Sequence, residues 1–220
     1  MRRRVPACLA ASIALIAISC VAPEPESEPE PEPNKETTFA YDCEGTYVVT
    51  RTEGLDKLWV FLPGQTVALK HVRAASGARY EGDGVLFWSH GDEAMLEVPG
   101  SDRKNCSVDR RASILEDAKL RGVDFRGTGN EPGWVLEIGP DRILFSYDYG
   151  EGRAVFPMLT PEQDSAGRRT VYSGRSEEHA IRIMLAGESC ADTMSDETFE
   201  TTVEVTLGDR KYRGCGQPLH

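Results

Sequence analysis

The chain has 220 residues, with 36 Asp and Glu against 25 Lys and Arg, and a formal net charge of -11. Phosphate recognition needs clustered basic side chains that release counterions, so this balance argues against nucleic acid as a partner. An acidic surface instead speeds encounter with cationic partners.

The first nineteen residues have the three parts of an export signal: Arg2, Arg3 and Arg4, an apolar stretch over 9–18, and Ser19 beside Cys20. The apolar run is too short to span a bilayer, which takes about 20 residues. Ala17-Ile18-Ser19-Cys20 resembles the lipobox of bacterial lipoproteins, with Ala17 where leucine is usual. That resemblance implies acylation of Cys20 and a membrane anchor without a spanning helix; an ordinary cleaved leader is the alternative. Val21, in place of the aspartate linked to inner-membrane retention, points to the outer membrane, facing the periplasm. Residues 21–38 hold five prolines and six glutamates and nothing apolar enough for a core. Residues 20–38 therefore read as an extended tether.

Without the leader and Cys20, four cysteines remain in an oxidising compartment: Cys43, Cys106, Cys190 and Cys215. Four allow three pairings, and two local ones are expected because each couple lies in one strand-rich block. No CxxC pair and no histidine spacing supports zinc, so no metal or other cofactor is expected.

Residues 39–109 carry short alternating runs between glycine-rich turns, the period of half-buried strands. Ala94, Leu96 and Val98 share one face, and 58–62 (LWVFL) reads as a strand enclosed on both faces. Residues 110–122 form the one helical stretch, with Ile114, Leu115, Ala118 and Leu120 on its apolar side and Gly122 as its stop. Strands return over 123–220, with Ile143, Phe145 and Tyr147, then Val203, Val205 and Leu207, alternating with their neighbours. The expected fold is all-β: a small antiparallel barrel or sandwich, a short helix, and a second strand-rich domain.

Within the first block, Ser76-Gly77-Ala78-Arg79-Tyr80 is followed by Phe87-Trp88-Ser89-His90-Gly91-Asp92-Glu93-Ala94. These two motifs, inside the Cys43 to Cys106 loop, resemble the family of membrane-bound inhibitors of c-type lysozyme over about residues 41–106. The resemblance implies an eight-stranded antiparallel barrel closed by a Cys43–Cys106 disulfide, with c-type lysozyme, a strongly basic protein, as partner. It also implies that a serine and a lysine enter the lysozyme cleft. Ser76 holds the serine's position, and His90 stands where the family has lysine. Arg79 and Tyr80, within the first motif, join Ser76 and His90 as candidate lysozyme-binding residues, although Tyr80, Phe87 and Trp88 also suit a barrel core.

Lysozyme works with two carboxyls about 5 Å apart across the scissile bond. A hydroxyl and a cation placed there gain charge-assisted hydrogen bonds. Lysine is a cation throughout the neutral range, whereas histidine is one only below about pH 6.5. A three-residue hairpin loop, Gly82-Asp83-Gly84, would set Ser76 opposite His90. A bulge, or Gly77 and Gly91 acting as loop formers, would instead separate them.

In the last block Gly129-Asn130-Glu131-Pro132-Gly133-Trp134, Cys190-Ala191-Asp192-Thr193-Met194-Ser195-Asp196 and Tyr212-Arg213-Gly214-Cys215-Gly216 resemble a family of uncharacterised bacterial envelope domains. That resemblance carries no activity. Asp192, Asp196 and Glu197 lack the EF-hand pattern and read as a turn or helix cap beside a disulfide. No nucleophile-base pair, metal motif or phosphate loop stands out, so the chain is not expected to be an enzyme; the remaining alternative is non-inhibitory binding of peptidoglycan or another envelope component.

Overall fold

Eight antiparallel strands close on themselves in the first half of the chain, as the computed structural model shows. It describes residues 36–195 and 197–220. The leader, Cys20 and Asp196 lie outside the described residues. The barrel strands are β1 (Thr38–Cys43), β2 (Thr46–Glu53), β3 (Lys57–Leu62), β4 (Gln65–Val72), β5 (Ala78–Gly82), β6 (Val85–His90), β7 (Glu93–Glu97) and β8 (Lys104–Asp109). Each pairs with the next, and β8 returns to β1 with Tyr41 opposite Val108 and Asp42 opposite Ser107. Thr38, placed in the tether by the sequence, is already strand and buried.

Alternation decides what fills the barrel. Val48, Val60, Leu69, Phe87 and Leu96 point inward and are almost wholly enclosed, each worth about 1.5–3 kcal/mol relative to exposure. Cys43 and Cys106 stand one pair beyond Asp42 and Ser107, both inside, and are joined as a disulfide. Tyr41 lies against Phe87 edge to face, and burial pushes its hydroxyl up to about 12. The strand expected to be apolar on both faces is not enclosed. Leu58 and Val60 face inward, while Trp59 and Phe61 lie half-buried on the outer wall. There Trp59 donates to Glu53, and Lys57 sits 4.4 Å over its ring. A hydrogen-bonding and cation-binding ring tolerates a wet wall.

Helix α1 (Arg110–Leu120) leaves the barrel directly from β8. Asp109 caps it by accepting from the Ala112 N–H at 2.9 Å. At the far end Gly122 takes φ +77°, its N–H bonds Lys119 O and the Val123 N–H bonds Ala118 O, a Schellman stop. One side lies on the barrel wall, where Ser113 Oγ accepts from the Ala40 N–H at 2.8 Å and Asp117 accepts from Thr38. Leu115 and Ala118 pack instead with Val123 and Leu219. Ile114 and Leu120, expected on the apolar side, are exposed at 52% and 39%, because the enclosed positions are Ser113 and Ala118. The barrel wall presents strand backbone as well as side chains, and a serine satisfies it where isoleucine could not.

The rest is a nine-stranded half-barrel: β9 (Phe125–Asn130), β10 (Gly133–Ile138), β11 (Arg142–Tyr147), β12 (Gly152–Pro157), β13 (Glu162–Asp164), β14 (Arg169–Arg175), β15 (Ala180–Ala186), then, beyond a two-stranded ladder of β16 (Cys190–Ala191) and β17 (Thr198–Phe199), β18 (Thr201–Leu207) and β19 (Arg210–Pro218). The strand order is β12-β11-β10-β9-β19-β18-β15-β14-β13. Its core is one face of that sheet, including Trp134, Phe145, Phe156, Ile183, Val203 and Tyr212. Among the described residues no helix is long and apolar enough to cross a membrane.

Candidate functional site

Successive antiparallel strands put alternate connections at the same end of a barrel. The β2–β3 turn (54–56), the β4–β5 loop (73–77) and the β6–β7 turn (91–92) therefore share one rim, together with the start of α1. Ser76 and His90 both lie on this rim, and both are exposed. They are not cross-strand partners. The β5–β6 hairpin pairs Ala78 with Ser89 and Gly82 with Val85, one residue out of the expected register. Asp83 and Gly84 both take positive φ, +49° and +78°. This is a two-residue loop of the type that matches strand twist, and it displaces the three-residue loop assumed from the sequence. Ser76 sits in a loop ahead of β5, and His90 ends β6 opposite Glu93.

What fixes Ser76 is its surroundings. Trp88 Nε1 donates to the Ser76 carbonyl at 2.9 Å. Gly77 has φ +66°, and a Cβ there would lie 2.2 Å from Ser89 O, so the loop is pressed against β6 in a way that only glycine permits. Trp88 is therefore not barrel core. It lies half-buried on the outer wall, opposite Arg79 and Met95, and clamps the serine loop. The two sequence motifs are the two halves of this clamp.

The other candidates fall differently. Tyr80 points into the barrel, 9% exposed, with the His71 ring edge-on at 5.3 Å. Desolvation raises its hydroxyl pKa. Arg79 is on the outer wall one residue in from the rim, paired to Glu81. One rim residue escaped the sequence reading: Arg73, three positions before Ser76 in the same loop. It is exposed and has no hydrogen bond or carboxylate partner among the described residues. The neighbouring rim cation, Arg110, is held by Asp92 at 2.5 Å. No motif marks Arg73, and its freedom is a tertiary property.

The three motifs of the C-terminal half converge on a second place. Cys190 is bonded to Cys215, Trp134 Nε1 donates to Arg213 O at 3.3 Å, and Asn130 Nδ2 donates to Asp192 at 3.2 Å. A Cβ on Gly214 would lie 2.0 Å from Thr128 O. Asp192 also accepts from the Met194 and Ser195 N–H groups, which hold its carboxyl below the usual range. It is the turn residue expected. No group of described side chains there could hold a metal ion.

The family model described as membrane-bound lysozyme-inhibitor of c-type lysozyme matches residues 41–105. The membrane-bound lysozyme inhibitor of C-type lysozyme of Yersinia enterocolitica serotype O:8 / biotype 1B is 37% identical over 92 residues, which cover 41% of this chain and 76% of that relative. No solved structure matches the chain. The family match runs from β1 into β8 of the closed barrel and includes the clamped serine loop, and with the Yersinia relative it shows that the chain belongs to the family of membrane-bound inhibitors of c-type lysozyme.

Proposed function

We propose that the protein is an envelope-anchored inhibitor whose barrel rim enters the active-site cleft of a c-type lysozyme. The observation that carries this reading is the clamped loop: Ser76 is presented at the rim in a conformation set before binding, so little ordering entropy is lost on docking. Ser76 supplies a hydroxyl to one cleft carboxyl, and His90 supplies a cation to the other when protonated. Arg73 adds a charge that does not depend on pH. The acidic remainder of the chain steers a basic enzyme toward the rim.

The same proposal places residues 1–19 as a leader and Cys20 as the acylated anchor, with residues 21–37 as the spacer. The barrel is the inhibitory domain, α1 is the connector, and 123–220 forms a second domain in an outer-membrane lipoprotein facing the periplasm. Cys20→Ser should then move the protein out of the membrane fraction.

The test is lysozyme inhibition by the intact protein, its Ser76→Ala, His90→Lys and Arg73→Ala variants, across pH 5 to 8. If His90 carries one contact, His90→Lys, which puts an ammonium group in its place, should tighten inhibition. Equal inhibition by wild type and His90→Lys would remove His90 from the contact, and absence of inhibition by wild type at any pH would leave a non-inhibitory envelope binder as the reading.

A further inference from the structure

On the outer face of the C-terminal half-barrel, Arg126 of β9 pairs directly with Gln217 of β19, and Thr128 pairs with Cys215 one step along. Cross-strand partners have Cβ atoms about 4.5–5.5 Å apart, so Arg126, Gln217 and Thr128 make one polar patch. With Asp192, Ser195 and residues of α1, this patch lines a pocket of about 180 Å3 with Leu115 and Phe199 as its apolar wall.

Arg126 is unfinished as an ion pair. Its side chain is only 17% exposed, and the nearest carboxylate, Glu137, is 3.7 Å away. Glu137 is already gripped by Arg121 at 2.9 and 3.0 Å. The Arg126 Nε is buried with no hydrogen-bond partner, and its terminal nitrogens make no hydrogen bond among the described residues. Burial is the largest cause that lowers its pKa; Glu137 opposes that, and the neighbouring cations Arg121 and Arg111 add to the lowering. Arg111, on the pocket's helix side, is committed to Glu197 and to the Phe199 ring at 5.2 Å. A largely buried guanidinium that lines a pocket and has a buried, unsatisfied Nε is an incomplete structure, because buried charged donors are ordinarily satisfied.

We propose that this pocket binds an organic carboxylate, its two oxygens on the Arg126 fork, with Thr128 and Gln217 as further donors and a short apolar substituent against Leu115 and Phe199. The planar fork matches a carboxylate in two parallel hydrogen bonds. Asp192 also lines the pocket, kept ionised by the Met194 and Ser195 N–H groups. A dianionic phosphate would meet more repulsion from it than a monoanionic carboxylate does. The carboxylate can belong to a free small acid or to a peptide C-terminus, and the two share the same chemistry at Arg126.

The experiment is an NMR titration of the intact protein with butyrate, with acetyl-alanyl-alanine, with the amide of that dipeptide, and with inorganic phosphate. Both carboxylates should give saturable shifts of the Arg126 Nε–H and of the Thr128 and Gln217 resonances. The amide should give none, and phosphate weaker ones. Preference for the dipeptide over butyrate assigns a peptide end, and the reverse assigns a free acid. Arg126→Gln should weaken binding about tenfold or more, and Thr128→Val should weaken it less while keeping the charge. Lysozyme inhibition should be the same in these variants, which separates this pocket from the barrel rim. Equal response to dipeptide and amide, or no saturable shift with either carboxylate at about 20 mM, well above a millimolar Kd, overturns the assignment.

Discussion

Gly77→Ala tests the clamped loop with a single methyl group. The added Cβ would lie 2.2 Å from Ser89 O and 3.2 Å from Trp88 Nε1. Ordinary contact is about 3.5 Å, so loop and strand must separate by about 1 Å or more. The partner atom is backbone in β6 and cannot swing aside, so the loop moves and takes Ser76 with it. The left-handed φ of +66° adds about 1 kcal/mol for alanine, and losing the Trp88 to Ser76 hydrogen bond adds about 1 kcal/mol more. Together these should lower the Tm by roughly 4–8 °C, because the barrel core below the rim is untouched. Inhibition should suffer more, by about ten- to a hundredfold, since a displaced hydroxyl and its neighbours lose charge-assisted bonds. Gly91→Ala is the control: it has φ +62° but nothing within 4 Å of the new Cβ, so it should cost about 1 kcal/mol in stability and far less in inhibition. Thermal unfolding and lysozyme titration of the two variants decide the matter. A Gly77→Ala protein that inhibits as wild type does would refute the idea that the loop's position matters.

Replacing Cys190 and Cys215 by serine together should cost about 3–4 kcal/mol in the chain-entropy model for a closed loop with a separation of 25 residues; denaturant unfolding reads this, and a change below about 1 kcal/mol would show that the disulfide does not organise that half. Asp192 has a depressed pKa, so its contribution to the 192–195 turn is fully present above the ordinary carboxylate value of about 3.9 and is lost as pH falls through the lower folded value. The Met194 and Ser195 amide resonances should therefore hold steady down to about pH 4 and move only below it; movement centred above pH 5 would contradict the assigned hydrogen bonds. Association with lysozyme should slow as salt rises, since exposed charges are screened over about 8 Å at 0.15 M. A salt-independent on-rate would remove charge steering.

Periodicity made the strands legible wherever one face is dry and the other wet. Ala94 and Leu96 in β7, Ile143 and Phe145 in β11, and Val203 and Val205 in β18 all point inward as their alternation requires. It failed at β3, where Trp59 and Phe61 continue an apolar run onto the outer wall, because hydropathy alone does not register a Glu53 and Lys57 that make such a wall tolerable. The hairpin register was lost for a different reason. Asp83 can enter the left-handed region as Gly84 does, and a loop shortened by one residue moves every pair. Ser76 and His90 were legible as a motif, yet their arrangement depends on Trp88 and Gly77 meeting β6, which is a contact between strands. Arg73 had no local signal at all. It stands out because no described residue pairs with it, and Arg126 likewise stands out only because Arg121 already holds Glu137.

The most direct test of the account is the mode of lysozyme inhibition by the intact protein. If the Ser76 rim occupies the cleft, inhibition must be competitive with a non-hydrolysable oligosaccharide ligand of that cleft, and the apparent Kd must rise in proportion to the oligosaccharide concentration. Inhibition that is unaffected by saturating oligosaccharide, or no inhibition at micromolar protein, would contradict it.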